Sequence, residues 1–337
     1  MIGIRVDSNE IIAIGHVMRC LSIAEQMKSK PIFICSEITT KNIITEAGYE
    51  CICLNNKHNE KDKELTELEK LISYYNIKML LIDSYFVTEY YLQELHKKTK
   101  LAYIDDLNSF KYDVDVLINY TYMTSESIYD KWKYSDVEFM LGSKFVPLSS
   151  QFRHKPIEIH KVENLLLTTG GTDNQNVIIT MLRKLENTKY NVNVIVGKYY
   201  NNYQSLIQYV VGKDNIKLYY NINNVVEVMK KCDIAISAGG TTLVELATLG
   251  IPTICFSRSD NQLAGTQKYS EYGLMIYVGD VTYSKQKVVN NILDSLNDLD
   301  KNIEKRRVLS KKMCNEFDGN GAQRIAERLS EEYDYEQ

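Results

Sequence analysis

The sequence predicts an α/β protein built from two Rossmann-like domains that face a cleft. Short apolar runs alternate with amphipathic helical stretches along the chain, and this is the pattern of βαβ units in a parallel sheet. The pattern is interrupted between Phe145 and His160, where neither period holds and where Pro147 and Pro156 lie. The chain has 337 residues, which suits two domains of ordinary size.

The first predicted domain covers residues 1–148 and contains six apolar runs of strand length. Between these runs, apolar residues recur at helical spacing, as they do from Val17 to Met27. The predicted strands are Ile2–Val6, Ile32–Cys35, Cys51–Leu54, Met79–Asp83, Leu101–Asp105 and Val116–Asn119.

The second predicted domain covers residues 149–337 and repeats the same plan. Its tail, from Lys301 to Tyr333, is predicted to be helical and to break at Gly319-Asn320-Gly321. Open parallel sheets bind ligands beyond the carboxyl ends of their strands, so the loops that follow strands are the places to look for a site. The predicted strands are Asn164–Thr168, Val192–Val196, Ile216–Tyr219, Ile234–Ser237, Thr253–Phe256 and Met275–Tyr277.

Composition excludes several classes of function. The net charge of −4 argues against a general nucleic-acid binder, which needs a basic face. No apolar run approaches the ~20 residues that span a bilayer, and the opening MIGIRVDSNE carries charges where a signal peptide is apolar. The seven cysteines are scattered, without the spacing of a zinc site. We expect a reduced cytoplasmic protein with neither a metal nor a cofactor.

The first candidate loop follows the first predicted strand and runs from Asp7 to Ile14-Gly15-His16 before a helix begins. A loop that leads into a helix N-terminus is suited to anions because backbone N–H groups point outward. Gly15 permits close approach of a ligand, and His16 can accept a proton from water near neutral pH. A histidine that only caps the helix fits the same pattern.

The second candidate loop is Thr168-Thr169-Gly170-Gly171-Thr172-Asp173. Its paired glycines suit a tight turn against a phosphate or a neighbouring domain. The loop lacks the spacing of a Walker loop and of a full dinucleotide fingerprint. A simple turn between a strand and a helix remains an equal alternative.

The third candidate loop is the most informative of the three. A buried strand ends at Ser237, Gly239 and Gly240 open the backbone, and Thr241 and Thr242 begin a helix. Their hydroxyl and N–H groups fit a diphosphate at the helix N-terminus. Glu245, one helical turn further on, can reach a ribose diol and stands among apolar neighbours rather than on a polar face.

Polar residues also close two other strands of the first domain. Asp83 and Tyr85 follow one strand, and Asp105 and Asp106 follow the next. Side chains at these strand ends point toward the predicted cleft. Adjacent Asp105 and Asp106 diverge on an extended chain, so they form a poor metal pair. The remaining histidines, His58, His96, His154 and His160, stand in polar stretches and are expected at the surface.

Taken together, the motifs resemble the PseG family of UDP-sugar hydrolases in pseudaminic acid biosynthesis and, more broadly, the related spore-coat polysaccharide proteins. The resemblance covers nearly the whole chain, in order. It rests on Arg5-Val6-Asp7, Ile14-Gly15-His16-Val17-Met18-Arg19-Cys20-Leu21, Ile82-Asp83-Ser84-Tyr85, Ile104-Asp105-Asp106, Leu117-Ile118-Asn119, Gly170-Gly171-Thr172-Asp173, Ala238-Gly239-Gly240-Thr241-Thr242 through Glu245, Gly250-Ile251-Pro252, Asp260-Asn261-Gln262 and Asp318-Gly319-Asn320-Gly321-Ala322.

The resemblance implies a glycosyltransferase-B fold similar to that of the peptidoglycan transferase MurG. It also implies an enzyme that releases UDP from UDP-2,4-diacetamido-2,4,6-trideoxy-β-L-altrose. The implied reaction cleaves the bond between the anomeric carbon and the phosphate oxygen. It needs no metal and inverts the configuration of the anomeric carbon. His16 matches the family's catalytic histidine, Tyr85 its active-site tyrosine, and Glu245 the ribose-binding position of the transferases. Asn261 falls in the loop that faces the sugar.

The remaining predicted substrate contacts come from the matching stretches, and one position departs from them. The family has glycine two residues before Gly15, whereas this chain has Ala13, which bears on the identity of the sugar. The predicted substrate-binding residues are Asp7, Gly15, Arg19, Asn119, Gly170, Gly171, Asp173, Gly239, Gly240, Thr241, Thr242, Glu245, Asn261 and Gln262.

Two alternatives to a hydrolase stay open. A MurG-like glycosyltransferase would use the same UDP site and pass the sugar to an alcohol. A non-catalytic sugar-nucleotide-binding regulator would keep the phosphate site without the base, and His16 beside Gly15 counts against it. The expected partner is a small UDP-sugar, with no nucleic acid and no membrane insertion, and the expected state is a monomer or a weak dimer.

Overall fold

The computed structural model describes residues 1–8, 14–153, 158–222 and 224–334, with the side chains of Asn261 and residues 332–334 left out. The departure at Ala13 lies outside these residues. The chain divides into two compact units. Unit 1 contains Met1–Ser150 and Gly319–Gln337, and unit 2 contains Gln151–Asp318.

Unit 1 is built on a parallel sheet of seven strands in the order β3-β2-β1-β4-β5-β6-β7. The inner strands are buried along their whole length, as expected where helices cover both faces of a parallel sheet. The strands are β1 (Ile2–Val6), β2 (Ile32–Cys35), β3 (Cys51–Cys53), β4 (Met79–Asp83), β5 (Lys100–Ile104), β6 (Val116–Asn119) and β7 (Glu138–Leu141). Helices α1 (Gly15–Glu25), α2 (Ile38–Glu46), α3 (Lys61–Tyr74) and α4 (Glu89–His96) connect the first five strands.

Unit 2 is built on a parallel sheet of six strands in the order β10-β9-β8-β11-β12-β13. The strands are β8 (Asn164–Thr168), β9 (Asn191–Val196), β10 (Ile216–Tyr220), β11 (Ile234–Ala238), β12 (Thr253–Ser257) and β13 (Ile276–Asp280). The helices are α5 (Val177–Leu185), α6 (Tyr203–Val210), α7 (Val226–Met229), α8 (Thr241–Leu249), α9 (Asp260–Glu271), α10 (Val281–Lys301) and α11 (Ile303–Glu316). Helix α10 is kinked at Ser284.

The two sheets confirm the predicted fold class of two parallel α/β domains. All twelve predicted strands are present, with ends displaced by a few residues at most. Strand β7 was not predicted, because it is a short edge strand with partly exposed residues and an apolar run of only three residues, Phe139–Leu141. In each sheet the strand order reverses beside the first strand, between β1 and β4 and between β8 and β11, and a crevice opens at such a switch point.

The last helix, α12 (Gly321–Asp334), corrects the predicted domain organisation, which assigned it to the second domain. Ala322, Ile325, Ala326 and Leu329 repeat at helical spacing and are fully buried in the core of unit 1. At its start, a side chain on Gly321 would place Cβ 2.2 Å from the Val146 carbonyl oxygen, so the helix can dock there only with glycine. No helix among the described residues is long and apolar enough to cross a bilayer.

Candidate functional site

The predicted catalytic histidine of unit 1 lies at the carboxyl ends of the central strands. His16 is the second residue of α1, and Asp83 is the last residue of β4. Because β1 and β4 are neighbours, with Val6 opposite Asp83, the groups that follow them meet at one edge of the sheet. The Nδ1 atom of His16 lies 2.6 Å from Oδ1 of Asp83, and both side chains are buried.

The charges around Asp83 determine which nitrogen of His16 carries a proton. Burial opposes ionisation, but the positive charge of Arg19 and hydrogen bonds from Arg19 and His16 outweigh it and lower the pKa of Asp83 to about 2. An ionised carboxylate only accepts hydrogen bonds, so Nδ1 of His16 donates to it. In the neutral ring, Nε2 is then the basic nitrogen. Within the described part of the chain, the hydrogen bonds recorded for His16 use Nδ1, which leaves Nε2 available.

Arg19 is the hub of this cluster. Its Nε donates to Oδ2 of Asp83 over 2.6 Å, and its Nη2 donates to Oδ2 of Asp106 over 2.9 Å. It also donates to the hydroxyl of Tyr120. With two carboxylates around it, the pKa of Arg19 is raised despite its burial. The sequence placed Arg19 on the substrate, whereas the structure engages its guanidinium in holding Asp83 and Asp106.

Tyr85, the predicted active-site tyrosine, packs edge-on against the His16 ring, with the ring centroids 4.6 Å apart. Its hydroxyl donates to Oδ2 of Asp106 over 2.9 Å. Burial of the hydroxyl and the charge of Asp106 raise its pKa, although the residue as a whole is 45% exposed. Because its proton is donated to Asp106, this partly exposed phenol can accept a hydrogen bond from a ligand or contact a sugar.

Two of the predicted substrate contacts in unit 1 make hydrogen bonds within the protein. Asp7 accepts hydrogen bonds from Arg5 at 2.8 Å and from Lys61 at 2.7 Å, in a fully buried ionic cluster. Asn119 donates to the Tyr129 hydroxyl over 2.9 Å, and its side-chain oxygen accepts from a backbone N–H. Both side chains bind other groups of the protein, and their contact with the substrate stays a prediction.

In unit 2, the loop between β11 and α8 leaves its backbone open as expected. Gly240 has φ 137° and is the N-cap of α8, and no side chain caps that helix. The first-turn N–H groups of a helix lack intrahelical acceptors, so those of Thr241 and Thr242 are placed to bind an anion. Gly239 is required by packing: a Cβ there would lie 2.5 Å from Oγ1 of Thr266.

Glu245 lies in the second turn of α8, after this loop. The surrounding protein raises the pKa of its carboxyl to about 7, although the residue keeps a partial opening to solvent. No hydrogen bond or ion pair is recorded for it with any described residue, and desolvation is the sole cause of its shift. A carboxyl left without donors in a largely apolar environment is costly unless a ligand supplies them.

The loop between β8 and α5 keeps its predicted glycines accessible. Gly170 has φ 77°, and a Cβ on Gly170 or Gly171 would meet nothing within 4 Å. Gly197 packs against this loop, because a Cβ on Gly197 would lie 2.6 Å from the carbonyl oxygen of Gly170. Asp173 makes hydrogen bonds within the protein. Its two carboxylate oxygens accept from the N–H groups of Val177 and Ile178, at 2.8 and 2.9 Å, so it caps α5. Its contact with the substrate stays a prediction.

The loop between β12 and α9 carries the last predicted contacts. Gln262 accepts the backbone N–H of Arg258 at 3.2 Å. The side chain of Asn261 lies outside the described residues. Gly15, in unit 1, is exposed, and a Cβ there would meet nothing within 4 Å, so packing does not require glycine at that position.

Sequence reasoning missed part of the cluster. Asp83 and Asp106 stood out as polar strand ends, but their partner Arg19 lies 64 and 87 positions away. Tyr120 and Arg258 carried no sequence signal.

Two surface hollows of unit 2 contain none of the predicted site residues, and one of them is lined by His160, Arg307 and Lys311. Across the described residues, no group of three or more His, Cys, Asp and Glu side chains is arranged to hold a metal ion.

Comparison with protein families identifies part of the chain. Residues 165–329 match the glycosyltransferase family 28 C-terminal domain. This range begins at the second residue of β8, includes β9 to β13 and ends within α12. It also contains the Gly239–Thr242 loop and Glu245.

Three curated proteins are similar in sequence. An uncharacterized protein of Methanocaldococcus jannaschii is 26% identical over 77% of this chain and 56% of its own length. The spore coat polysaccharide biosynthesis protein SpsG of Bacillus subtilis is 21% identical over 82% of this chain and 83% of its own. A Helicobacter pylori protein, pseudaminic acid cytidylyltransferase and UDP-2,4-diacetamido-2,4,6-trideoxy-β-L-altropyranose hydrolase, is 28% identical over 58% of this chain and 37% of its own. The chain thus spans about half of the first relative.

Among solved structures, MurG of Acinetobacter baumannii is similar with a TM-score of 0.70. The two chains are 11% identical, and the match covers 98% of this chain and 99% of that one. The chain therefore has the two-domain glycosyltransferase-B fold that the sequence predicted.

Proposed function

We propose that this protein is a UDP-sugar hydrolase that breaks the bond between the anomeric carbon and the phosphate oxygen, with His16 activating water. The observation that carries the proposal is the 2.6 Å hydrogen bond from His16 Nδ1 to a buried, ionised Asp83. That bond fixes the tautomer in which Nε2 is a base. A nucleotide-binding regulator has no need of a base oriented in this way.

The chemistry follows from what the reaction lacks. UDP is already a good leaving group, so acid catalysis on its oxygen contributes little. Water at neutral pH is a weak nucleophile, and a base that removes its proton during attack typically gives about 10²–10⁴-fold. The water oxygen bonds to the anomeric carbon, its proton passes to His16 Nε2, and the C–O electron pair leaves with UDP. Attack opposite the leaving group inverts the anomeric carbon.

Asp83 and Arg19 act as positioning residues in this scheme. As His16 accepts the proton, the ring becomes positive, and ionised Asp83 stabilises that charge. Arg19 keeps Asp83 ionised through its own charge and hydrogen bonds. Tyr85, against the His16 ring, contributes either to water orientation or to sugar contact.

The nucleotide is assigned to unit 2. Glu245 accepts the ribose hydroxyls, which supply the donors that it lacks in the protein. The N–H groups at the start of α8, with Gly239 and Gly240, receive the diphosphate. The match of this range to a glycosyltransferase domain supports a sugar nucleotide as ligand. The Helicobacter relative favours a UDP-diacetamido-trideoxy-altrose as the first sugar to test.

A second candidate is a glycosyltransferase, favoured by the match of 165–329 to a transferase domain and by the MurG-like fold. The two candidates differ only in what attacks the anomeric carbon. Incubation with a panel of UDP- and CMP-sugars in H₂¹⁸O, with and without alcohol acceptors, separates them. The hydrolase proposal expects UDP release without an acceptor and ¹⁸O on the sugar. Release that requires an alcohol supports a transferase, and label on the phosphate contradicts C–O cleavage.

A further inference from the structure

Arg258 is a charged residue that none of the site assignments uses. It follows β12 directly, so it lies at the carboxyl edge of the unit 2 sheet, where α/β proteins bind ligands. Its Nη1 donates to Oγ1 of Thr172 over 2.6 Å, and Thr172 belongs to the loop after β8. The backbone N–H of Arg258 donates to Oε1 of Gln262. The side chain therefore joins two of the loops that carry predicted contacts.

Strand order shows what lies beneath this connection. In the sheet, β8 and β12 are separated by β11, so their ends are about 10 Å apart at the usual strand spacing. The hydrogen bond from Arg258 to Thr172 joins the loops that follow these two outer strands, and β11, the strand between them, leads into the Gly239–Thr242 loop. Gly239 is in turn pressed against Gln262, since a Cβ on it would lie 3.0 Å from Cβ of Gln262. The strand order thus places Arg258 at the same edge of the sheet as the loop assigned to the diphosphate.

The guanidinium of Arg258 has few hydrogen-bond and ion-pair partners among the described residues. Its Nε is buried without a hydrogen bond, and among the residues that the structure describes no ion pair is recorded for Arg258. Burial lowers the pKa of Arg258, and the nearby charge of Asp173 offsets only part of that effect. The two oxygens of Asp173, the nearby carboxylate, accept from Val177 and Ile178, and no hydrogen bond or ion pair from Arg258 to Asp173 is recorded among the described residues. In the same stretch, Oγ1 of Thr169 is also buried without a partner.

We infer that Arg258 binds the diphosphate of the sugar nucleotide and stabilises the charge that develops on it as the anomeric C–O bond breaks. This inference rests on the proposed function. A guanidinium presents donors in a fork that suits phosphate oxygens, and the bound diphosphate supplies the missing counter-charge. Departure of UDP adds negative charge to the phosphate, so the interaction strengthens in the transition state.

A purely structural role for Arg258, as a link between two loops, is the alternative that the test must separate. The ligands are UDP and uridine, measured by calorimetry on the full chain. Arg258→Gln should weaken UDP by about 10–100-fold, since charged hydrogen bonds to the phosphates are lost. Uridine, which lacks phosphates, should bind within twofold of the wild type. Arg258→Lys keeps the positive charge without the paired donors of the guanidinium, and it should lose less UDP affinity than Arg258→Gln.

Two further variants complete the design. Thr172→Val removes the link between the loops but keeps the guanidinium, and it should retain UDP affinity far better than Arg258→Gln. Arg183→Gln, at an exposed arginine of α5, is the matched control and should bind UDP as the wild type does. Equal losses of UDP and uridine, or equal effects of Thr172→Val and Arg258→Gln, would overturn the inference. Wild-type protein that binds neither ligand would instead reject the proposed function, and the inference with it.

Discussion

The polar groups of the two units differ in how completely the protein satisfies them. In unit 1, Arg19 pairs with Asp83 and Asp106, and Nδ1 of His16 bonds to Asp83. In unit 2, Glu245 and the Nε of Arg258 are desolvated without partners among the described residues. A satisfied cluster holds a catalytic group in place, whereas unsatisfied groups lower stability until a ligand binds.

This difference predicts two kinds of mutational effect. Changes in unit 1 should reduce turnover with little change in nucleotide affinity, because the proposed function assigns its groups to the reacting atoms. Changes in unit 2 should reduce affinity, and some of them should stabilise the unliganded protein. The experiments below test that division, beginning with the largest expected effect.

His16→Asn should reduce kcat by about 10²–10⁴-fold, because it removes the basic nitrogen while keeping a polar group of similar size. UDP affinity should change by less than about threefold, since His16 belongs to unit 1 and the nucleotide is assigned to unit 2. Steady-state kinetics and calorimetry measure the two quantities. His58→Asn, at a partly buried histidine of unit 1 paired with Glu37, is the matched control. Turnover within a few-fold of the wild type would refute the role of His16.

Asp83→Asn should reduce kcat by about 10–10³-fold, because an amide can donate to His16 Nδ1 and favour the wrong tautomer. It should also cost about 3–5 kcal/mol of unfolding free energy, since Arg19 loses a buried partner. The pKa of Asp83 is lowered from 3.8 to about 2 in the folded protein. Its ionised form therefore stabilises the protein fully above pH 3.8, and this stabilisation is lost as the pH falls toward about 2. The stability difference between wild type and variant should therefore be full at pH 5 and shrink below pH 4. A difference independent of pH would contradict the ionised pair.

Glu245→Gln should weaken UDP binding by about tenfold, because a charged acceptor for the ribose becomes neutral. The unliganded variant should be more stable than the wild type. The folded-state pKa of Glu245 is raised from 4.5 to about 7, so the stability of the wild type falls as pH rises through that range. The variant should gain about 1–3 kcal/mol at pH 8 and nothing near pH 4.

Denaturant unfolding at the two pH values and calorimetry with UDP measure these opposite effects. The exposed Glu271→Gln change in α9 serves as control, since it removes a solvated carboxylate from the same unit. A Glu245→Gln variant that binds UDP as the wild type does would exclude the ribose assignment. Loss of affinity without any gain in stability at pH 8 would show that Glu245 is already satisfied in the free protein.

Tyr85→Phe should have the smallest effect, a loss of kcat of about two- to tenfold. The variant keeps the ring against His16 and loses only the hydrogen bond to Asp106, which retains Arg19. Thermal unfolding should be nearly unchanged, because the tyrosine is partly exposed. Tyr85→Ala, which also removes the ring, should lose more activity than Tyr85→Phe. Equal activities of the two variants would show that the ring contributes nothing.

The same comparison shows what sequence could and could not predict. The parallel strands were predictable because buried strands are continuous apolar runs. Glu245 was predictable because a carboxylate among apolar neighbours violates the expected pattern. The bond between His16 and Asp83 was not, because it joins residues 67 positions apart, and only the β1–β4 pairing brings them together. Arg258 lies in no motif, and its significance depends on the order of three strands.

The roles of Asp7, Asn119 and Asp173 illustrate a second limit. Each is a polar residue after a strand or in a glycine loop, the position typical of ligand contacts. Nothing in the sequence shows that Asp7 already binds Arg5 and Lys61, or that Asp173 caps α5. Tertiary packing decides whether a polar group is hydrogen-bonded to other residues or remains available to a ligand.

The position of α12 affects how the protein folds during synthesis. Unit 1 needs Ala322, Ile325 and Leu329 to complete its core, and these residues are translated after the whole of unit 2. A ribosome adds about 5–20 residues per second, so the first 150 residues wait roughly 10–35 seconds for that helix. Unit 2 is continuous in sequence and can complete its own core earlier. We therefore expect the unit that begins the chain to be the last to acquire full protection from proteolysis on the ribosome.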